Sequence, residues 1–311
     1  MKRFKNILVV TGEHTDPINN PAIARGAALA AQNQGRLTLM DVIPEPKDMM
    51  REYKGIIRPE ELLSIQVKQR EKELMQSAEE LGSAIDVRVH VSTGQDFIEI
   101  IRQMLLAEHD LLMKMANAHD EGFHSSDFHL MRKCPKPVWL LKPRRIESQS
   151  PKILAALDLT LEDRDEGRNL NTFIMELATS VASWENSQLH TLSCWSLYGE
   201  SALRDSGFMR VSDAQLTALL NEEQEHYHQR LSALANRCPY ASLHTHLIKG
   251  DPVECIPAFV RKHAIDVVVM GTVARSGIPG LLIGNTAETI LQLIDASVIT
   301  LKPEGFESPV H

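Results

Sequence analysis

The stretch with the clearest chemical potential runs Met270-Gly271-Thr272-Val273-Ala274-Arg275-Ser276-Gly277-Ile278-Pro279-Gly280-Leu281-Leu282-Ile283-Gly284-Asn285-Thr286-Ala287-Glu288. It leaves a short apolar run at Met270, passes four glycines and enters a helical pattern. Glycine admits positive φ and lets a backbone approach a ligand closely. The first turn of the helix that follows offers unpaired N–H groups and a positive dipole end, which suits phosphate. The same glycines also suit a tight strand-to-helix turn kept for packing alone, and at this level both readings stand. The loop lacks the Gly-Lys-Ser/Thr ending of a P-loop, so phosphoryl transfer of that type has no lysine to assist it. Arg275 is either a phosphate partner or an exposed loop arginine. Asp158, at the end of another apolar run, reads equally as a ligand carboxylate and as a turn or cap residue.

Other reactive side chains carry less. His244 and His246 sit two apart on an expected strand and share a face, whereas His226 and His228 lie two apart on an expected helix and diverge. Without a third ligand at a recognisable spacing they read as packed or solvated histidines, and no metal is expected. The four cysteines (Cys134, Cys194, Cys238, Cys255) form no CxxC; they read as reduced thiols, mostly in core or strand positions. There is no Ser/His/Asp order, no GxSxG and no supported carboxylate pair, so binding rather than turnover is expected, with a slow ATPase as the limit.

The elements that must position the glycine loop come in two copies. Lys5-Asn-Ile-Leu-Val-Val is echoed by Pro151-Lys-Ile-Leu-Ala-Ala, and Glu108-His-Asp-Leu-Leu-Met-Lys by Ala264-Ile-Asp-Val-Val-Val-Met. Gly94 and Gly250 lie 156 positions apart, as do Asp110 and Asp266, and each copy closes on Leu-Lys-Pro (141–143 and 301–303). A repeat of this length implies two like domains. Short apolar runs at Ile153–Leu157, Gln188–Cys194, Ser242–Ile248, Val267–Met270 and Ser297–Leu301 suit strands buried on both faces. Helical patterns lie between them, including Asp213–Arg237 and Pro252–His263; the latter has Asp251 as N-cap and Pro252 at its first position. In the first copy Pro59–Leu81 is a further long helix with mixed charge. The expected fold is α/β, two tandem doubly wound five-stranded parallel-sheet domains. The linker falls in Pro143–Pro151, giving domains 1–146 and 147–311. Tyr198–Val211, which contains Gly and Ser, is a candidate lid of unassigned role.

On these residues the chain resembles the universal stress protein family, whose fold is adenine nucleotide alpha hydrolase-like. ATP-binding members carry G-x2-G-x9-G-[S/T] in this loop and an aspartate at the end of the first strand. Gly271 and Gly284 match the outer glycines; Ala274 replaces the middle one, and Asn285 the closing Ser/Thr, with Thr286 next. Asp158 matches the aspartate, and Ala156, Cys194 and Met270 fall where the resemblance places the adenine and ribose pocket. The segments His109–Met115, Leu130–Trp139 and Gly284–Glu288 look like the tandem E class. The resemblance implies ATP, with or without Mg, in the second copy, and two halves packed as a pseudo-dimer through Pro137–Leu141 and Ser297–Leu301. In the first copy Met115 stands for Gly271 and Gly12 for Asp158, and Met115 to Pro143 spans 28 positions against 32 from Gly271 to Pro303. No nucleotide is expected there.

Size and charge narrow the partners. The 311 residues suit two ordinary domains, and 43% hydrophobic with 24% charged residues is the balance of a globular protein. A formal net charge of −8 without a basic block argues against nucleic acid. Polar residues interrupt the apolar start after Val10, and no run of about 18 apolar residues occurs, so neither a signal peptide nor a membrane span is expected. The cytoplasm is the expected location. The rival to a stress-response nucleotide binder is an interaction protein with both sites degenerate, serving a protein or apolar ligand; a homodimer of whole chains stays open.

Overall fold

The computed structural model describes residues 4–12, 15–16, 19–45, 57–116, 123, 125–142, 151–161, 165–205, 211–272 and 284–310. The first half runs β1 (Asn6–Val10), α1 (Pro21–Asn33), β2 (Arg36–Ile43), α2 (Pro59–Glu80), β3 (Asp86–Thr93), α3 (Asp96–Leu106), β4 (Leu111–Met115), α4 (Ser125–Lys133) and β5 (Val138–Leu141). The second half runs β6 (Lys152–Leu157), a 3-10 turn (Leu159–Leu161), α5 (Asp165–Glu185), β7 (Gln188–Trp195), α6 (Glu200–Asp205), α7 (Asp213–Arg237), β8 (Leu243–Lys249), α8 (Pro252–His263), β9 (Val267–Gly271), α9 (Asn285–Leu293) and β10 (Ser297–Leu301). The domain boundary at 146/147 and nearly all of the expected linker lie outside the described residues.

Within each half the strands are parallel, in the order 3-2-1-4-5, and β5 pairs antiparallel with β10 to join them into one ten-stranded sheet. The junction register is Val138–Thr300, Trp139–Ile299 and Leu140–Val298. The expected packing through the last strands is therefore observed, starting at Val138 rather than Pro137. Side chains alternate across each strand, so Ile7 and Val9 face α1 and α2 while Leu8 and Val10 face α3 and α4. The second half repeats this with α5 and α7 on one face and α8 and α9 on the other. Helices on both faces make each half doubly wound, and explain why the strands read as continuous apolar runs.

The echoed residues have structural work in each copy. The Asp110 carboxylate accepts the Lys5 and Asn6 N–H groups at 2.7 and 3.1 Å, and Asp266 accepts the Lys152 N–H at 2.8 Å. Both fasten the start of a fourth strand to the start of a first. Gly94 and Gly250 have φ of 140° and 147°, a region that L side chains rarely adopt, and donate to Ile43 and Trp195 carbonyls. The closing lysines brace the junction: Lys142 Nζ donates to the Ile294 carbonyl of the other half at 3.0 Å. Lys302 Nζ donates to Thr272 Oγ1 at 2.5 Å, and that hydroxyl donates on to the Met131 carbonyl of the first half at 3.3 Å.

Local signals hold where they were explicit. Asp251 accepts the Val253 N–H at 2.9 Å with Pro252 opening α8, and Ser212 with Gln215 forms a capping box at α7. The candidate lid is partly helical. Glu200–Asp205 is a helix, and Glu200 pairs with Arg204 and with Lys249 of β8 at 2.8 and 2.7 Å. Residues 206–210 lie outside the described residues.

Candidate functional site

The carboxyl ends of β6, β7 and β9 bring together most of the residues singled out in the sequence. Ala156 and Met270 are register neighbours on β6 and β9. Both are buried, in the same apolar layer as Ala287 of α9. Asp158 follows β6 directly, close enough to Cys194 of β7 for its charge to act on that thiol. Burial, then the neighbouring Cys255 thiol, pushes Cys194 up to about 12, so it lines this end of the sheet as a neutral thiol. Gly271 ends β9, and Gly284, Asn285 and Thr286 open α9. Ala274, with Arg275, Gly277 and Gly280, lies outside the described residues.

Three details sharpen the sequence reading. Asp158 forms a local turn: its Oδ1 accepts the N–H and hydroxyl of Thr160, while Asn171 of α5 bonds its backbone N–H and carbonyl. Gly271 is also a packing position, since a Cβ there would stand 2.8 Å from Leu170 Cδ2. The Gly284 N–H already donates to the Thr272 carbonyl at 3.1 Å, so it is not a free phosphate donor. Within α9 the first N–H to bond back is that of Glu288, to Gly284 O at 2.9 Å, and the N-cap residue, Gly284, has no side chain to cap the helix. The N–H groups of Asn285, Thr286 and Ala287 are thus left unpaired by the helix ladder. Of the neighbours that sequence reasoning missed, Thr160 alone had a signal, Asp-x-Thr being an Asx-turn pattern. Asn171, Leu170 and Thr272 come from separate segments.

The same end of the first half is filled. Lys114 occupies the β4 place that Met270 has on β9, and Asp127 the α4 place that Ala287 has on α9. Their side chains form a buried ion pair at 2.8 Å. On the other side of that site Arg70 pairs with Asp41 at 3.0 Å and donates to the Gly12 carbonyl at 3.4 Å. Burial outweighs Arg70 at Asp41, whose carboxyl is pushed up to about 6.

Two cavities lie away from this site. One of about 610 Å³ is at the amino ends of the strands, bounded by Ser232, Pro239, Tyr240 and Thr245. The other, about 370 Å³, lies between the halves beside Trp139, Trp184 and Arg237. Among the described residues no helix is long and apolar enough to cross a membrane.

A doubly wound domain repeated in tandem, with a glycine-bounded turn at the carboxyl ends of one copy, defines a class of two-copy α/β proteins. The model of the universal stress protein family matches residues 3–142 and again 152–302, and the chain belongs to that family. It is 26% identical to Universal stress protein E of Photorhabdus laumondii over 339 aligned positions, covering 100% of this chain and 98% of the relative. Universal stress protein E of Escherichia coli K12 is also 26% identical, with the same coverage. Among solved structures, PA1789 of Pseudomonas aeruginosa, described as functionally unknown, aligns with TM-score 0.64 at 23% identity over 98% of this chain and 95% of its own. A universal stress protein from Archaeoglobus fulgidus aligns with TM-score 0.61 at 16% identity over 96% of this chain and 98% of its own.

Proposed function

We propose that the chain is a cytoplasmic stress-response protein whose C-terminal half binds ATP or a related adenine nucleotide without rapid turnover. The observation that carries this is the contrast at the N-termini of the helices that follow the two fourth strands. In the first half the Asp127 carboxylate sits in the first turn of α4, paired with Lys114, so the helix dipole has a built-in anion. In the second half the corresponding residues are Ala287 and Met270, and the N-cap of α9 is Gly284, which brings no capping side chain. The one acidic residue there, Glu288, forms an ion pair with Arg132 of the first half. A phosphate would supply the missing anion, held by the N–H groups of Asn285, Thr286 and Ala287. Asp158 and Cys194 stand on the side where base and ribose would lie, with the buried Ala156 and Met270 as floor.

The test is the thermal midpoint with and without Mg-ATP, for the wild type and for the double variant Met270→Lys, Ala287→Asp, which copies the first half's plug. Saturation at 100 times Kd adds about 2.7 kcal/mol to a binder. A rise in the wild type that the double variant loses supports the reading. No rise in a folded wild type overturns it. That result favours the interaction-protein reading, in which Gly271 and Gly284 persist for Leu170 and for the Thr272 carbonyl.

A further inference from the structure

The densest group of titratable side chains lies away from that site, at the outer edge of the second half. His190 of β7 shares a face with its register partner His244 and with His246, both on β8. Its ring stacks on theirs with centroids 5.1 and 5.3 Å away, and its Nδ1 meets His246 Nε2 at 3.1 Å. From α8, Phe259 and His263 close over the group: His263 lies 5.8 Å from His190 and 5.6 Å from His246, and stacks on Phe259 at 4.1 Å. His190 is buried, and its Nε2 has no hydrogen-bond partner. Among the described residues no three or more His, Cys, Asp or Glu are arranged to hold a metal ion.

The surroundings offer little to receive added positive charge. From β8 come His244 and His246, from α8 His263, and from β6 Lys152, whose ammonium donates to the His263 carbonyl at 3.2 Å. Arg261 and Lys262 add charge to the same last turn of α8. The nearby Asp266 carboxylate accepts the Lys152 backbone N–H. Among the described residues the first half has a smaller counterpart without stacked imidazoles: Thr38 pairs with Arg88 where His190 pairs with His244, α3 contains no histidine, and His90 of β3 acts on the buried His109, which burial pushes down to about 4.

We propose that His190 and His246, packed with His244, Phe259 and His263, form an acid-sensitive latch: neutral, these two imidazoles dock β8 and α8 onto β7, and their protonation in mild acid loosens that edge of the C-terminal half. Burial, and then the neighbouring imidazoles, lower His190 to about 4, and burial followed by His263 and His244 lowers His246. Both folded values lie below the ordinary 6.5, so the unfolded chain binds more protons between pH 6.5 and about 4. The latch is complete above that window and is lost as pH falls through it.

Hydrogen exchange on the full chain tests this, comparing segments 243–263 and 86–106 at pH 7 and about pH 5 after correction for intrinsic rates. Protection of 243–263 should fall about tenfold, and by more than that of 86–106. His190→Leu should flatten the response; if it does not fold, the double variant His244→Gln, His263→Gln, altering the more exposed rings, should shrink the loosening, because without those neighbours the His190 value moves back toward the ordinary 6.5. Equal loss in both segments, no loss, or an unchanged response in a folded variant overturns the proposal. A gain in protection at pH 7 on adding zinc chloride, absent in His190→Leu, also overturns it in favour of a metal site.

Discussion

The two fourth strands with their following helices share a backbone design and solve one electrostatic problem in different ways. In the first half a carboxylate and an ammonium 13 positions apart, Asp127 and Lys114, are driven together in the interior. In the second half both positions are apolar, Ala287 and Met270 in one layer. Of the two corresponding helix N-termini, one carries its own ion pair, while the other has apolar residues at both places. The lesson is that a departure from a motif need not be mere erosion. Residues that look like absence in a motif, Met115 for Gly271 and Gly12 for Asp158, accompany a plug with its own partners.

The largest test of this contrast breaks the plug. Asp127→Ala removes a buried carboxylate partner of the Lys114 ammonium and should cost about 3 kcal/mol in denaturant melts. Adding Lys114→Met, which copies the second half, should recover most of that, because apolar replacement of a buried pair is close to neutral. If the double variant is as unstable as the single, the pair is not what distinguishes the halves.

A second test concerns the closing lysines. Burial pushes the Lys302 ammonium down to about 7 from 10.5. Unfolded chain therefore binds more protons between those values, so this residue's contribution to stability rises with pH from about 7 to 10.5 and is lower at neutrality. Lys302→Met should raise the thermal midpoint near pH 7 and remove that slope, read as the wild-type-minus-variant difference across pH. An identical slope in the variant would assign it elsewhere.

The smallest effect is expected at the Arg132–Glu288 pair, which joins α4 to α9 across the halves and is roughly a quarter exposed on each side. Arg132→Ala should cost no more than about 1 kcal/mol. Its sharper use is in nucleotide titration. Freeing Glu288 in the first turn of α9 should weaken phosphate binding, whereas an unchanged affinity would place the phosphate elsewhere.

Much of the fold was legible because its causes are local or periodic. Apolar runs gave the strands, Asp251-Pro252 gave the start of α8, the repeat gave two like halves, and the family resemblance gave their packing through the last strands. The second half's last strand, Ser297–Leu301, has the bounds that its apolar run indicated. The site was legible only as a set of residues. That Gly284 spends its N–H on Thr272, that Leu170 fills the space above Gly271, and that Asn171 holds Asp158 depend on segments distant in sequence. His244 and His246 lacked a third neighbour in the sequence because His190 lies 56 positions from His246 and reaches it only through strand pairing. Buried pairs such as Lys114–Asp127 leave no periodic trace, since each residue alone looks like an ordinary surface charge.

The antiparallel seam between β5 and β10 has a consequence for concentration. When two such domains meet as separate chains, their association is bimolecular and weakens on dilution. Here the partners are one molecule, and the second domain is present at an effective concentration fixed by the chain between residues 142 and 151. The seam is therefore as complete in a scarce protein as in an abundant one. One face of the pair is free to change without a matching change being imposed on the other.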